Sequence, residues 1–389
     1  LKSKLFRKGQ IMLDSTTLVP ALMIAAVASL VICSLIVATQ RWHGAASLDR
    51  ELTGKQKFHA VPVPRIGGAG LVLGVCCAFA LRDAGDGGAG DGGDAAALLW
   101  ASMPVFAIGL AEDLTKSVSV RLRLGLTLAS GLLAWWLLDA VLPRVDLPFV
   151  DDLLASLPLA LLVTVVAVAG VTNAINIIDG FNGLAGSTAV AILVGSACLG
   201  WRCGDALVVE LALLGIGAAL GFLLLNYPRG LLFMGDGGAY FLGFWCAEVA
   251  VLLVCRNPSV STWQVLALHA YPVTEVLYSI YRKKVLRGMS VTMPDRLHLH
   301  MLIYRRCIRR RLPHDAVRPW MRNAAVAALV APWTAAWTLA VVALGASGPA
   351  AVLLLVLHAV AYVAVYLRLL RGRWCFHPRA AARRLARVE

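Results

Sequence analysis

Asn173 to Gly186 reads NAINIIDGFNGLAG and follows directly on the apolar run Leu157 to Val171. Asn176 and Asp179 stand three residues apart, close enough to share a helix face. They offer the amide and carboxylate oxygens that suit a hard divalent cation and the phosphates it carries. Asn182, beyond the break at Gly180, carries an amide suited to reading an amide-bearing base. Asn, Asp and Gly also build ordinary turns and helix ends, so this motif alone leaves both readings open.

Four further polar stretches interrupt apolar sequence. KQKFHAVPVPRIGG, Lys55 to Gly68, joins His59 and Arg65 to a Pro-stiffened approach and a Gly pair. Glycines at a helix start let backbone N–H groups approach a phosphate, and Arg65 is placed to clamp one. A basic juxtamembrane loop is the plainer alternative. In GLAEDLTKSVSVRLRL, Glu112 and Asp113 end an apolar run, where a carboxylate calls for a partner. The pair either holds Mg²⁺ or accepts a proton while Lys116 and Arg121 hold phosphate, or it is simply neutralised by Lys116, Arg121 and Arg123. FMGDGGAYFLGF sets Asp236 between glycines, as a tight turn or a metal ligand beside Asn176. PDRLHLHMLIYRRCIRRR carries Arg296, His298 and His300. On an extended segment, imidazoles two apart point the same way and, with the arginines, suit a diphosphate.

The elements that must position these groups are membrane helices. The 389 residues are 59% hydrophobic and 15% charged, with a mean hydropathy of +0.76. Apolar segments long enough to cross a bilayer recur at about 17-39, 66-82, 95-112, 122-142, 155-175, 184-200, 206-226, 232-254, 262-281, 323-344 and 350-370. The expectation is an all-α bundle of eleven spans over residues 17-371, with a basic tail at 372-389. Residues 1-16 form an N-terminal extension, and Met12 is a candidate natural start. With the N-terminus outside, 28 of the 36 Lys and Arg fall on the inner side. That places the N-terminus in the periplasm, the C-terminus in the cytoplasm and all five motifs on the cytoplasmic face.

The net charge of +14 then suits anionic headgroups and phosphorylated substrates, not nucleic acid. Nine cysteines show no zinc or redox spacing. Glu248 and Glu275 lie within spans, and such acids make a proton- or cation-coupled transporter the competing class. No internal repeat supports it, and polarity gathers at one surface.

All five motifs, in this order from about Asp49 to Arg311, resemble the polyprenyl-phosphate N-acetylhexosamine-1-phosphate transferases, integral membrane enzymes of ten or eleven helices. The resemblance implies transfer of a phospho-sugar from a UDP-N-acetylhexosamine to undecaprenyl phosphate in the bacterial inner membrane, with release of UMP and a requirement for Mg²⁺ or Mn²⁺. A homodimer is compatible with it. Carried over by motif, Glu112 and Asp113 stand where the family has an Asp-Asp pair. Asn176 and Asp236 match residues near metal and diphosphate, with Asp179 in the same cluster, and Asn182 matches a base contact. Arg296, His298 and His300 match the loop that binds diphosphate and sugar. Two departures stand out: Glu112 is longer than the family's Asp, and Met301 occupies the last position of the usual His-x-His-His. The absent triple-His signature argues against the peptidoglycan-precursor branch and for the initiator of an O-antigen, capsule or similar glycan.

Overall fold

A computed structural model describes residues 15–49, 62–85, 92–290, 295, 297–313, 315 and 317–372. In chain order the helices are α1 (Ser15–Ala38), α2 (Gln40–Ser47), α3 (Gly68–Gly85), α4 (Gly92–Thr115), α5 (Val120–Leu138), α6 (Pro148–Leu154), α7 (Leu157–Ile178) and α8 (Leu184–Cys203). There follow α9 (Ala206–Asn226), α10 (Gly235–Arg256), α11 (Thr262–Leu268), α12 (Ala270–Tyr281), α13 (Leu299–Ile303), α14 (Arg309–Arg311), α15 (Met321–Leu344) and α16 (Gly348–Leu370). A two-residue strand pair, β1 (Leu48–Asp49) against β2 (Val63–Pro64), is antiparallel with Asp49 opposite Val63.

The chain is an all-α, multi-pass membrane protein. Among the described residues eight helices, namely α1, α4, α7, α8, α9, α10, α15 and α16, are long and apolar enough to cross a bilayer. Helices also form at the other three expected spans, but with different character. The apolar part of α3 is short, Gly68–Leu81. Helix α5 carries Arg121 and Arg123 in its opening turn, and the segment 262–281 breaks at His269 into α11 and α12.

Helix α10 is the axis. Every residue from Gly237 to Val254 is buried, as expected of a helix apolar on all sides and surrounded by others. Glycines set how closely its neighbours approach. A Cβ on Gly68 of α3 would lie 2.3 Å from the Gly238 nitrogen, and one on Gly109 of α4 would lie 2.6 Å from the Gly237 Cα. A Cβ on Gly243 would lie 2.9 Å from the Cα of Thr172 in α7. In lipid, where apolar side chains gain little by leaving solvent, such backbone-to-backbone contact is a main source of helix association.

Gly68→Ala should therefore force the α3–α10 contact apart, at a cost of about 1–3 kcal/mol or more. Gly125→Ala, where nothing lies within 4 Å of the new Cβ, should be neutral or slightly stabilising. Size-exclusion profiles and thermal melts of detergent-solubilised protein separate the two: Gly68→Ala should lose the monodisperse peak or melt earlier, and Gly125→Ala should not.

Candidate active site

Helices α10 and α15 begin, and α7 and α9 end, at one pocket of about 330 Å³, which the loop between α7 and α8 and the segment around His298 also line. Its wall includes Asp49, Arg65, Asn176, Asp179, Asn182, Asn226, Asp236, His298 and Asn323. Residues from distant motifs thus meet at one end of the bundle.

The centre of the wall is the first turn of α10. Both oxygens of Asp113, at the end of α4, accept backbone N–H groups there, from Asp236 and Gly237, each at 2.9 Å. A carboxylate at a helix N-terminus satisfies orphan donors and meets the positive end of the helix dipole. Arg65 reaches Asp113 at 3.2 Å and Asp236 at 3.8 Å. Arg123 donates to Asp236 at 2.8 Å, and the Asn176 amide donates to its other oxygen at 3.3 Å. Asp113 is almost wholly enclosed and stands behind the pocket, where it holds Asp236 and Arg65 in place. Glu112 turns away and accepts the Val118 N–H at 2.8 Å, closing the loop after α4.

The Gly67–Gly68 pair does not present free N–H groups to an anion, contrary to the expectation above. Gly67 donates to the Phe233 carbonyl at 3.0 Å and Gly68 to that of Met234 at 2.9 Å. The glycines allow this backbone contact, and the cation beside them, Arg65, is what remains for phosphate. Lys116 pairs with Asp49 at 3.8 Å on the rim. Arg121 is exposed, and Arg123, two residues on, is the one that reaches the site. Residues two apart on a helix point in opposite directions. The buried stripe Thr127, Ser130, Gly131 and Ala134 continues from Arg123 at helical spacing, which is the sequence signal that distinguishes the two. His59 and Arg296 lie outside the described residues.

Asp179, past the end of α7, is half-buried on the wall. Burial pushes its carboxyl up to about 7, with the charges of Asp236 and Asp113 adding to the effect and Arg65 opposing it. Two carboxylates and an amide, Asp179, Asp236 and Asn176, are hard oxygen donors of the kind Mg²⁺ takes, so the donor chemistry fits such an ion. Among the described residues no three His, Cys, Asp or Glu already converge at ligand spacing. An ion here would therefore draw further oxygens from water or a bound phosphate.

The two histidines divide their work. Their rings stack nearly parallel at 5.4 Å, and Nδ1 of each approaches Glu275. His298 places Nδ1 2.9 Å from Glu275 Oε1, leaving Nε2 for a ligand, and it lines the pocket. His300 is fully buried and stands off the wall: the Tyr271 hydroxyl lies 3.5 Å from its Nδ1, and Phe181 meets its ring edge-on. Glu275 also accepts the Leu299 N–H. The loop before His298 is tied down by Arg282, which bonds Asp295, the Leu297 carbonyl at 3.1 Å and the Tyr366 hydroxyl of α16 at 2.7 Å.

Residues 95–254, covering the acidic and Asn motifs and most of α10, match the family model of glycosyl transferase family 4. The chain is 31% identical over 276 residues to the decaprenyl-phosphate N-acetylglucosaminephosphotransferase of Mycobacterium leprae, covering 63% of this chain and 67% of that one. It is 26% identical over 252 residues to the probable undecaprenyl-phosphate N-acetylglucosaminyl 1-phosphate transferase of Bacillus subtilis, covering 63% and 66%. It is 27% identical over 257 residues to the undecaprenyl-phosphate alpha-N-acetylglucosaminyl 1-phosphate transferase of Escherichia coli K12, covering 64% and 67%. The matches span about two thirds of each relative's length. With the pocket and the helices around it, they place this chain in glycosyl transferase family 4.

Burial pushes His300 down to about 4 from its ordinary 6.5, with His298 adding to the effect and Glu275 opposing it. The unfolded chain therefore takes up this proton first as pH falls, so the group's contribution to stability should be lost between pH 6.5 and 4. Thermal melts of the solubilised protein across that window should show the decline, and His300→Gln should flatten it.

Proposed function

We propose that the chain transfers a phospho-N-acetylhexosamine from a UDP-sugar to a polyprenyl phosphate, undecaprenyl phosphate in a bacterial inner membrane. UMP leaves, and the lipid-linked sugar diphosphate begins a cell-surface glycan. One observation carries this reading: Arg65, Asn176, Asp179, Asp236 and His298, drawn from four separate segments, face one pocket at an end of a membrane bundle, and Arg123 of a fifth segment reaches its Asp236. The charge asymmetry of the loops supports a cytoplasmic side for that end, where nucleotide sugars are available.

The reaction exchanges one phosphoanhydride for another and is close to thermoneutral. Its barrier is the repulsion between an anionic lipid phosphate and an anionic diphosphate. An oxygen of the lipid phosphate attacks the sugar-linked phosphorus, and the bond to the UMP phosphate breaks as the new bond forms. A Mg²⁺ or Mn²⁺ ion held by Asp179, Asp236 and Asn176 would draw charge from the diphosphate and help fix the line of attack. Arg65 and Arg123 supply fixed positive charge in a site partly screened from water. His298, braced by Glu275, presents Nε2 to the diphosphate or sugar. A phosphate nucleophile needs no base at neutral pH, which agrees with Asp113 acting as a positioning group.

The transporter alternative gains nothing from the two intramembrane acids. Glu275 is committed to His298 and Leu299, and Glu248 is fully enclosed, with neither oxygen meeting a polar partner among the described residues.

Membranes containing the protein, given radiolabelled UDP-GlcNAc and undecaprenyl phosphate, should form lipid-linked sugar and UMP in equal amounts. A panel of UDP-N-acetylhexosamines, 6-deoxy forms included, should pick out the donor, and absence of lipid product with every donor would overturn the reading. Arg123→Ala should cost about 100-fold or more in rate, whereas Arg121→Ala stays near wild type. Asp236→Ala should lower the rate and shift the Mg²⁺ titration; an unchanged titration would remove it from the ion site.

A further inference from the structure

Away from the active-site pocket, three polar atoms deep in the bundle meet no hydrogen-bond partner among the described residues: Thr188 Oγ1 of α8, Trp337 Nε1 of α15 and His358 Nδ1 of α16. Their residues line one small cavity where α8, α11, α12, α15 and α16 come together. Thr188 is 1% exposed and His358 not at all. A buried polar group without a partner is costly and native interiors hold few, so three around one cavity call for an explanation.

The state of His358 defines the partner these atoms take. The Trp333 indole N–H, which can only donate, meets His358 Nε2 at 3.2 Å. Nε2 therefore accepts, and the proton of the neutral ring sits on Nδ1. The cavity is thus faced by two N–H donors, from His358 and Trp337, and by the Thr188 hydroxyl, which can accept. At the break between α11 and α12, Pro272 has no N–H to give the carbonyl four residues before it, that of Leu268, and both residues line the cavity. A water molecule matches this set: it accepts from both N–H groups, donates to Thr188 Oγ1 and keeps a second hydrogen for a backbone carbonyl such as that of Leu268.

Size and charge narrow the ligand further. The cavity measures about 10 Å³, close to what one water molecule requires and too little for a lipid chain or a sugar. No charged side chain lines it, so an anion taken by the same N–H groups would lack a counter-charge in a poor solvent for charge.

We infer that a single water molecule is bound in this cavity, held by His358 Nδ1, Trp337 Nε1 and Thr188 Oγ1, and that it ties the α11–α12 break to α8, α15 and α16. Glu275, on α12 just past Pro272, grips His298. The water thereby braces from behind the helix that carries the imidazole wall of the active site. Thr188, Trp337 and His358 do not line the active-site pocket, so this water is independent of what that pocket transfers.

Two measurements on the full chain test this. A structure of the detergent-solubilised protein, at a resolution that shows ordered waters elsewhere in the bundle, should show density within hydrogen-bond distance of His358 Nδ1, Trp337 Nε1 and Thr188 Oγ1. A blank cavity, or anomalous density there from bromide supplied in the buffer, would overturn the inference. Thermal melts read the sign of Thr188→Val, which exchanges the hydroxyl for a methyl of similar shape. With the water in place the variant loses a hydrogen bond, and its melting temperature should fall by about 1–3 °C. A hydroxyl with nothing to bond would instead be improved by the methyl, so an unchanged or higher melting temperature would overturn the inference as well.

Discussion

Negative charge buried at the first turn of α10 is the constraint around which the rest is arranged. Asp236 occupies that turn because the pocket needs a carboxylate, and Asp113 stands directly behind it. Two acids so close are tolerable only because each is answered: Asp113 by two helix-end N–H groups and Arg65, Asp236 by Arg65, Arg123 and Asn176. Removing one partner from such a cluster costs more than the pair contributes, because a charge is left without compensation in a poor solvent for charge. Four separate segments are thereby bound to one helix end: β2–α3 through Arg65, α4 through Asp113, α5 through Arg123 and α7 through Asn176.

Packing makes that electrostatic arrangement geometrically feasible. Side chains of ordinary size at Gly68, Gly109, Gly237 and Gly238 would hold α3 and α4 too far from α10 for Asp113 and Arg65 to reach it. A second anchor works independently on the opposite wall. Arg282 joins the end of α12 to Asp295 and to Tyr366 of α16, Glu275 fixes His298, and buried His300 fills the space beneath Gly180 and Phe181. The pocket is thus held between a charged wall set by α10 and an aromatic and imidazole wall set by the last helices.

Much of this was legible in the sequence. Span length and hydropathy located a helix at each expected segment, and the Lys and Arg bias grouped the polar motifs on one face. Asn176, Asp179, Asn182, Asp236 and His298 do share a pocket. What escaped depended on direction and partner. A carboxylate that caps a neighbouring helix and one that holds a cation look identical in sequence, so Asp113 read as a ligand. Glycines that admit a neighbouring backbone look like glycines that admit a phosphate, so Gly67 and Gly68 were misassigned. Arg123 was recoverable from the small and polar stripe on its own helix face. Asn226 and Asn323 were not, because a single asparagine at a helix end carries no mark of the loop it will hold.

The family's shared segment ends well short of the groups that finish the pocket. Arg65 precedes residue 95, while Glu275, His298 and Asn323 follow residue 254, and Tyr366 secures the histidine loop from the last helix. No internal fragment is therefore a portable cassette. A chimaera that grafted only the shared segment into another bundle would import the acids and Arg123 without the Arg65 and His298 that complete the wall, so the pocket should be inherited with the flanking segments as well as with the signature residues.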